Sequence, residues 1–238
     1  MVYKIADLYI DIYGSCDYIY SYCEKFLCKD YPRIDFKVEV TREEAFSELP
    51  NGIVPLASTQ MERVHAELNA IYRKICSRAL EYDAFLMHGA LIEYEGRGYL
   101  FTAQSGTGKT THINLWKKAF GEDKVTVING DKPILRFIDG KLYAYGTPWS
   151  GKEGYYTTDR VELNALCFVK RNKDNCIQRV NDTEVLPLIF SQIMLTDSAN
   201  LEKQLELVDR MLQKVSLHVL RCNMDVEAAH VAYNGMKS

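Results

Sequence analysis

The chain has 238 residues, a formal net charge of −3 and 47% hydrophobic residues. This length predicts one or two domains with a core that needs no disulfide or metal to support it. The content of 26% charged and 11% aromatic residues is typical of a globular protein rather than a disordered one. The near-neutral charge argues against a dedicated nucleic-acid binder, and no stretch approaches the roughly 20 apolar residues of a membrane span. Since the seven cysteines also lack C-x-x-C spacing, we expect a cytoplasmic protein with free thiols.

Residues 1–82 are predicted to form an α+β segment packed on the core. Residues 34–40 alternate apolar and charged side chains, which indicates a half-buried strand. Thr41, with Glu44 three positions later, is typical of a capped helix start. Residues 59–82 carry apolar side chains at helical spacing. Nothing in this segment indicates catalysis, so it either recognises an acceptor or completes the core.

The middle of the chain is rich in turns, and it contains eleven of the fourteen glycines. Residues 90–94 and 99–102 are predicted to form a hairpin. A glycine-rich turn, a helix over residues 109–120 and a strand over residues 124–128 follow. A second hairpin is predicted around Asp139-Gly140.

The last third is predicted to alternate helices and strands. A helix over residues 183–195 requires Pro187 in its first turn. An apolar stripe predicts a second helix over residues 201–215, and residues 217–222 and 226–233 suit a strand and a final helix. This irregular order favours a mixed-sheet α/β fold with α+β character over a strictly parallel doubly wound sheet.

The most informative stretch is residues 103–110, which match the phosphate-loop pattern G-x-x-x-x-G-K-[ST] except that Ala103 replaces the first glycine. In such a loop, glycines allow backbone N–H groups to surround phosphate, the lysine reaches the β- and γ-phosphates, and the hydroxyl of Thr110 ligates Mg²⁺. The alternative is an ordinary glycine turn before a lysine. The residues predicted to bind a nucleoside triphosphate such as ATP are Ser105, Gly106, Thr107, Gly108, Lys109, Thr110 and Thr111.

Three further positions suit phosphoryl-transfer chemistry. Asp131 follows the strand after the loop helix, where an acid can hold Mg²⁺ or take the proton of an acceptor, although Asn-Gly-Asp is also ordinary turn chemistry. His88 precedes the strand that leads towards the loop, and a lone histidine is more often structural. Residues 146–154 suit a loop that closes over the site with Lys152 as a second cation, or a surface turn with Trp149 packed inward.

The stretches Met87-His88-Gly89-Ala90, Gly98-Tyr99-Leu100-Phe101 and Ser105-Gly106-Thr107-Gly108-Lys109-Thr110 resemble the catalytic domain of HPr kinase/phosphorylase. The last run is also similar to the kinase loop of ATP-dependent phosphoenolpyruvate carboxykinase. The resemblance covers roughly residues 85–170. It implies a phosphoenolpyruvate carboxykinase-like P-loop fold over residues 83–238 and phosphoryl transfer to a serine hydroxyl of a protein or peptide. It also implies a catalytic neighbourhood for His88, and the resembled kinases assemble as homo-oligomers.

The chain departs from the resembled family in one respect. The family has two adjacent acids where this chain has Gly130-Asp131, and the match places Asp131 on the metal-side acid. The catalytic residues we expect are Asp131, His88, Lys109 and Lys152, with Thr110 and Asp131 at the metal. The alternatives are a nucleotide-binding regulatory protein with a degenerate acceptor site, or a simple ATPase.

Overall fold

A computed structural model describes residues 1–50, 55–104, 106–194 and 200–237. The described part of the chain divides into two compact units, Met1–Tyr82 and Asp83–Ser238. Over the same residues, no helix combines the length and the apolar character that crossing a membrane requires. A cytoplasmic location stays a prediction.

The first unit combines a small sheet with helices. In its described residues, β1 and β2 pair antiparallel and β2 and β3 pair parallel. The predicted capped start at Thr41 is confirmed, since its side chain accepts a hydrogen bond from the backbone N–H three positions on. Thr59 caps the next helix in the same way, at the position where the helix over residues 59–82 was predicted to begin. Its elements are β1 (Val2–Ile5), β2 (Leu8–Tyr13), α1 (Tyr18–Tyr22), β3 (Phe36–Glu39), α2 (Arg42–Ser47) and α3 (Gln60–Ala79), with 3₁₀ turns at Glu24–Phe26, Pro55–Ala57 and Leu80–Tyr82.

The second unit is built on a mixed sheet flanked by helices, which confirms the mixed α/β class. Within its described residues the sheet has nine strands, in the order β4-β8-β9-β10-β6-β5-β7, with β12 paired to β10 and β11 to β12. Its elements are β4 (Ala84–Leu86), β5 (Ala90–Tyr94), β6 (Arg97–Thr102), α4 (Lys109–Phe120), β7 (Val125–Asn129), β8 (Ile134–Ile138), β9 (Lys141–Tyr145), β10 (Arg160–Arg171), β11 (Cys176–Arg179), α5 (Asp182–Phe190), α6 (Leu201–Leu212), β12 (Ser216–Cys222) and α7 (Glu227–Met236).

Strand direction brings the predicted site residues to one edge of this sheet. β6 runs parallel to β10, and β10 runs parallel to β12, so their carboxyl ends lie side by side. β5 is antiparallel to both β6 and β7. The start of β5 therefore meets the ends of β6 and β7 at the same edge, which we call the loop edge.

The helix after the loop is anchored by an aromatic core. Trp116 of α4 is fully buried, and its ring lies 5.3 Å from Tyr99 and 5.6 Å from Phe101 of β6, between ring centroids. Tyr233 of α7 packs against the same tryptophan at 6.0 Å. Close packing of large rings fixes the position of a helix to within small shifts. The amino end of α4 is thereby held at the loop edge.

One expectation for the last third is wrong. Pro187 lies in the interior of α5 rather than in its first turn, because the helix already begins at Asp182. The predicted end of that helix at Leu195 lies outside the described residues. The helix predicted over residues 201–215 is present as α6, although Leu201 and Leu205 of its apolar stripe are exposed. Gln204 is buried on this helix, and its side-chain amide is satisfied by donating to the Met194 carbonyl at 2.7 Å.

A buried histidine on α4 makes the stability of the fold depend on pH. His112 is 2% exposed, and its Nε2 accepts the indole N–H of Trp116 at 3.0 Å. Burial lowers the pKa of His112 from its ordinary 6.5 to about 4. The unfolded chain therefore binds this proton first as the pH falls, so stability is fully present above pH 6.5 and is lost between pH 6.5 and 4.

We expect roughly 3 kcal/mol of unfolding free energy to disappear across that interval through His112. Urea unfolding of wild-type protein and of His112→Gln at pH 7.5 and pH 4.5 measures it. Glutamine can still accept the indole N–H but takes up no proton, so its loss of stability should be smaller by about that amount. An identical loss in the two proteins would contradict the prediction. His218, whose pKa is lowered by burial and by Arg179, acts in the same direction and is retained in both.

Candidate active site

The glycine-rich loop, residues 103–110, joins β6 to α4 at the loop edge. Gly106 and Gly108 adopt φ of +76° and +122°, conformations that side-chain-bearing residues rarely adopt. Gly108 is the N-cap of α4 and offers no side-chain cap, and the first-turn N–H groups have no intrahelical acceptor. The loop thus presents backbone donors and the positive end of a helix. Ser105 lies outside the described residues.

An arginine from the neighbouring strand holds this loop in place. Arg171, at the end of β10, donates to the carbonyl oxygens of Gly106 and Thr107, the latter at 3.0 Å. A trans peptide directs its N–H opposite to its C=O. The N–H of Gly108 therefore points away from Arg171. The two hydrogen bonds from Arg171 thus restrain the loop and also orient the Gly108 N–H.

A turn held by a buried asparagine presents Asp131. Asn129, the last residue of β7, is fully buried, and its Oδ1 accepts the backbone N–H groups of Asp131 and Lys132 at 2.9 and 2.7 Å. Its Nδ2 donates to the carbonyl and hydroxyl oxygens of Thr147 at 3.0 and 3.1 Å. Every polar atom of the amide is engaged, so the turn that carries the carboxylate is rigid.

Asp131 is paired with His88. The Nε2 atom of His88 lies 2.9 Å from Asp131 Oδ1. Burial raises the pKa of Asp131, but the hydrogen bond and charge of His88 outweigh this effect, with help from Lys132 and Lys109, and hold the pKa below its ordinary value. The carboxylate is therefore ionised at neutral pH.

Lys109 of the glycine-rich loop and Asp131 also interact electrostatically. Burial lowers the pKa of Lys109, while the negative charges of Asp131 and Glu153 partly offset that shift. Lys109 in turn lowers the pKa of Asp131. The predicted loop lysine, the predicted acid and its histidine thus form one charged cluster at the loop edge.

The chain after Thr147 folds over the turn that carries Asp131. A Cβ on Gly130 would lie 2.9 Å from the carbonyl oxygen of Ser150, so residue 130 has no room for a side chain. Gly151, with φ of +80°, packs against Asp131, since its own Cβ would lie 3.0 Å from that of the aspartate. An acid at residue 130 is therefore incompatible with this loop.

The same loop carries an acid that the sequence did not single out. Glu153 Oε1 accepts the Thr110 hydroxyl at 3.4 Å and contributes to the electrostatic environment of Lys109. Tyr155 is tied to α4 as well, because the Lys117 ammonium lies 4.9 Å from the centre of its ring. Glu153 thus lies next to the hydroxyl predicted to bind Mg²⁺.

The two other residues singled out on this loop have different environments. Trp149 is 3% exposed, so its ring is packed inward, as expected if residues 146–154 form a surface turn. Lys152 is exposed, and within the described residues no hydrogen bond or ion pair engages its ammonium. It is free to reach a bound anion.

The oxygen donors at this site suit Mg²⁺ bound together with a nucleotide. The Thr110 hydroxyl and the Glu153 and Asp131 carboxylates are the hard ligands that Mg²⁺ prefers. In the described part of the chain no group of three or more His, Cys, Asp and Glu side chains could hold a metal alone. Because Mg²⁺ commonly binds through one or two carboxylates, water and substrate phosphates, the residues fit the ion when phosphate is present.

Cavities flank the loop on either side of Arg171. One of about 530 Å³ extends from Thr102 and Gln192 to the loop, and one of about 410 Å³ lies beside Thr111 and His112. Both are lined by Thr107 and Arg171. The loop edge is therefore concave enough to hold a small molecule.

Sequence reasoning missed the residues that reach the site from distant segments. Arg171 and Gln192 lie in stretches without a motif, and only strand pairing brings Arg171 to the loop. Glu153 lies in the loop of residues 146–154 that the sequence indicated, but it was given no role there. The role of Asn129 could have been predicted from the sequence. In an Asn-Gly-Asp turn the asparagine side chain accepts a hydrogen bond from the backbone N–H two residues on.

No protein-family model and no curated protein matches this chain. Among solved structures, 35 chains are similar to it. One is the Hpr(Ser) kinase/phosphatase from Coxiella burnetii, which is 9% identical in sequence, with a TM-score of 0.38. The aligned part covers 63% of this chain and 89% of that one. The likeness is remote, and the activity proposed for this chain rests on its own residues.

Proposed function

We propose that the chain is a kinase that uses Mg·ATP to phosphorylate a serine-like hydroxyl of a protein or peptide. The observation that carries the proposal is the charged cluster in which Lys109 of the glycine-rich loop and the Asp131–His88 pair act on one another. A loop that only turned the chain would need no ionised acid and histidine beside its lysine.

In the proposed reaction the acceptor oxygen forms a bond to the γ-phosphorus of ATP. The bond from that phosphorus to the oxygen bridging it to the β-phosphate breaks, and the hydroxyl proton passes to a carboxylate oxygen of Asp131, which His88 holds in place. Lys109 and the backbone donors of the loop stabilise the negative charge that shifts onto the β-phosphate. Mg²⁺, held by Thr110, Asp131 and Glu153, would neutralise the charge between the β- and γ-phosphates when bound.

Mass spectrometry of ATP turnover tests the proposal. The chain is incubated with γ-labelled ATP and Mg²⁺, with and without candidate acceptors such as proteins and peptides encoded by neighbouring genes. We expect a phosphorylated product on serine that depends on His88 and on Asp131. Phosphate release that no acceptor changes would identify an ATPase, and nucleotide binding without turnover would identify a regulatory protein; either would overturn the kinase.

We further propose that Glu153 is the second carboxylate of the site. It reaches Thr110 from the loop that fills the space beside Gly130, where the resembled kinases carry an acid. The carboxylate missing at residue 130 would in this way be supplied from residue 153.

Glu153→Gln is expected to raise the Mg²⁺ concentration for half-maximal ATP binding about tenfold, which corresponds to about 1.4 kcal/mol. Its affinity for ATP without Mg²⁺ should not fall, because the substitution removes a negative charge near the phosphates. Calorimetric titration of ATP at several Mg²⁺ concentrations measures both. Glu122→Gln, an exposed glutamate beyond α4, is the control. An unchanged Mg²⁺ requirement in Glu153→Gln would rule out this role.

A further inference from the structure

Gln192 connects α5 to the Asp131–His88 pair. It lies two residues beyond the end of the helix and is 8% exposed. Its backbone carbonyl accepts the His88 N–H at 2.6 Å, and its side-chain Oε1 lies 3.0 Å from His88 Nδ1. The imidazole ring is therefore held between Gln192 on one side and Asp131 on the other.

The hydrogen bonds around Gln192 determine which atom of its amide faces the ring. Ser191 donates its hydroxyl hydrogen to the Leu188 carbonyl at 2.7 Å, so the Ser191 oxygen can only accept from Gln192. The Gln192 Nε2 makes that bond at 2.9 Å. The oxygen of the amide must then face His88, where it also lies 3.1 Å from the Thr102 hydroxyl.

This orientation fixes the ring. Because Oε1 only accepts, His88 Nδ1 must carry a hydrogen and donate it to Gln192. Nε2 then faces Asp131 at 2.9 Å, and because the ionised carboxylate only accepts, that hydrogen bond requires a hydrogen on Nε2 as well. A ring rotated by half a turn would lose both contacts at once. The fully buried Thr102 hydroxyl has one hydrogen to donate, and the two oxygens within its reach are Gln192 Oε1 at 3.1 Å and the His88 carbonyl oxygen at 2.8 Å.

We propose that Gln192 is a positioning residue, which holds the His88 ring so that Nε2 meets Asp131 in the transfer reaction. The inference rests on the proposed kinase function for its kinetic consequence, but the ring orientation itself does not depend on nucleotide. Gln192 touches neither the phosphates nor the acceptor in this role. Groups that orient a metal-bound histidine in this way are typically worth about 10- to 100-fold in activity, and we expect an effect of that order for Gln192.

The first test observes the ring directly. In protein labelled with ¹⁵N-histidine, a long-range ¹H–¹⁵N spectrum at one pH reports which ring nitrogen carries hydrogen, and His88→Gln assigns the signals. We expect Nδ1 of His88 to be protonated in the wild type and in Gln192→Glu, which keeps an acceptor oxygen. Gln192→Met, of similar length without one, should lose that pattern. A wild-type ring without hydrogen on Nδ1, or a pattern that Gln192→Met leaves intact, overturns the proposal.

The second test is kinetic and uses the acceptor identified by mass spectrometry. Gln192→Met should lower kcat at least tenfold with KM for ATP changed less than twofold, and Gln192→Glu should restore most of the rate. Gln213→Met is the matched control, since Gln213 is exposed and its side-chain amide donates to Asp209 rather than to any residue of the site. Equal losses in Gln192→Met and Gln192→Glu would indicate a structural role and overturn the proposal. If no transfer occurs in the wild type, the kinase proposal fails while the spectrum still decides the ring orientation.

Discussion

Replacing Lys109 with alanine is expected to lower phosphoryl transfer by about 100- to 1,000-fold while the protein stays folded. The ammonium belongs to the loop itself, and its one described hydrogen bond is to the Ala103 carbonyl at 3.3 Å. Removing it leaves the charge that develops between the β- and γ-phosphates without its main partner. The affinity for ATP should fall as well, by about tenfold or more, as for other hydrogen bonds to charged groups.

The thermal stability of Lys109→Ala should match or exceed that of the wild type. Burial lowers the pKa of Lys109, which means that the folded chain holds this charge at a cost at neutral pH. Thermal unfolding without nucleotide measures the effect. Lys118→Ala, an exposed lysine on the same helix, controls for loss of a positive charge. A Lys109→Ala protein that phosphorylates at the wild-type rate would remove the loop from the proposed site.

Local chemistry explains why some elements could be predicted from the sequence. The Thr41 cap and the Asp139-Gly140 turn depend on contacts within four residues. The boundaries of α4 follow from Gly108 before it and Gly121 after it, which is why that helix was predicted residue for residue. Caps and turns of this kind can be predicted because the residues that form them are neighbours in the sequence.

Non-local pairing explains what the sequence could not provide. β10 is a long strand buried among neighbours on both sides, and an apolar run does not reveal that it pairs parallel to β6 and β12. Arg171 reaches the loop, and Gln192 reaches His88, only through that topology and the path of α5. In the sequence, Gly130 suggested a missing acid. In the fold, the carbonyl oxygen of Ser150 occupies the space that a side chain at residue 130 would need.

The contact between Ser150 and Gly130 changes what the glycine at residue 130 implies for catalysis. An absent acid suggests lost activity if the rest of the site is unchanged. Here the loop that excludes a side chain at residue 130 also packs Gly151 on Asp131 and carries Glu153 to Thr110. On the proposal above, Glu153 supplies the carboxylate that residue 130 lacks, and two substitutions can separate the roles of Asp131 and Glu153.

Asp131→Asn is expected to reduce phosphoryl transfer by at least about 100-fold, a loss that added Mg²⁺ should not reverse. Asparagine keeps the shape of the side chain and an oxygen that faces His88, so the turn held by Asn129 should persist. It removes the negative charge that would take the acceptor proton together with His88. Glu153→Gln, by contrast, should recover most of its rate at high Mg²⁺, because its proposed role is limited to the metal.

Transfer rates of both variants across a range of Mg²⁺ concentrations distinguish the two roles. Asp159→Asn, an exposed aspartate whose carboxylate makes no contact within the described residues, should match the wild type throughout. If Asp131→Asn retained transfer within about threefold of the wild type, proton transfer to this residue would be excluded, since general-base groups contribute at least about 100-fold. If added Mg²⁺ restored Asp131→Asn as fully as Glu153→Gln, both acids would serve the metal. The acceptor proton would then have to leave by a group other than these two carboxylates.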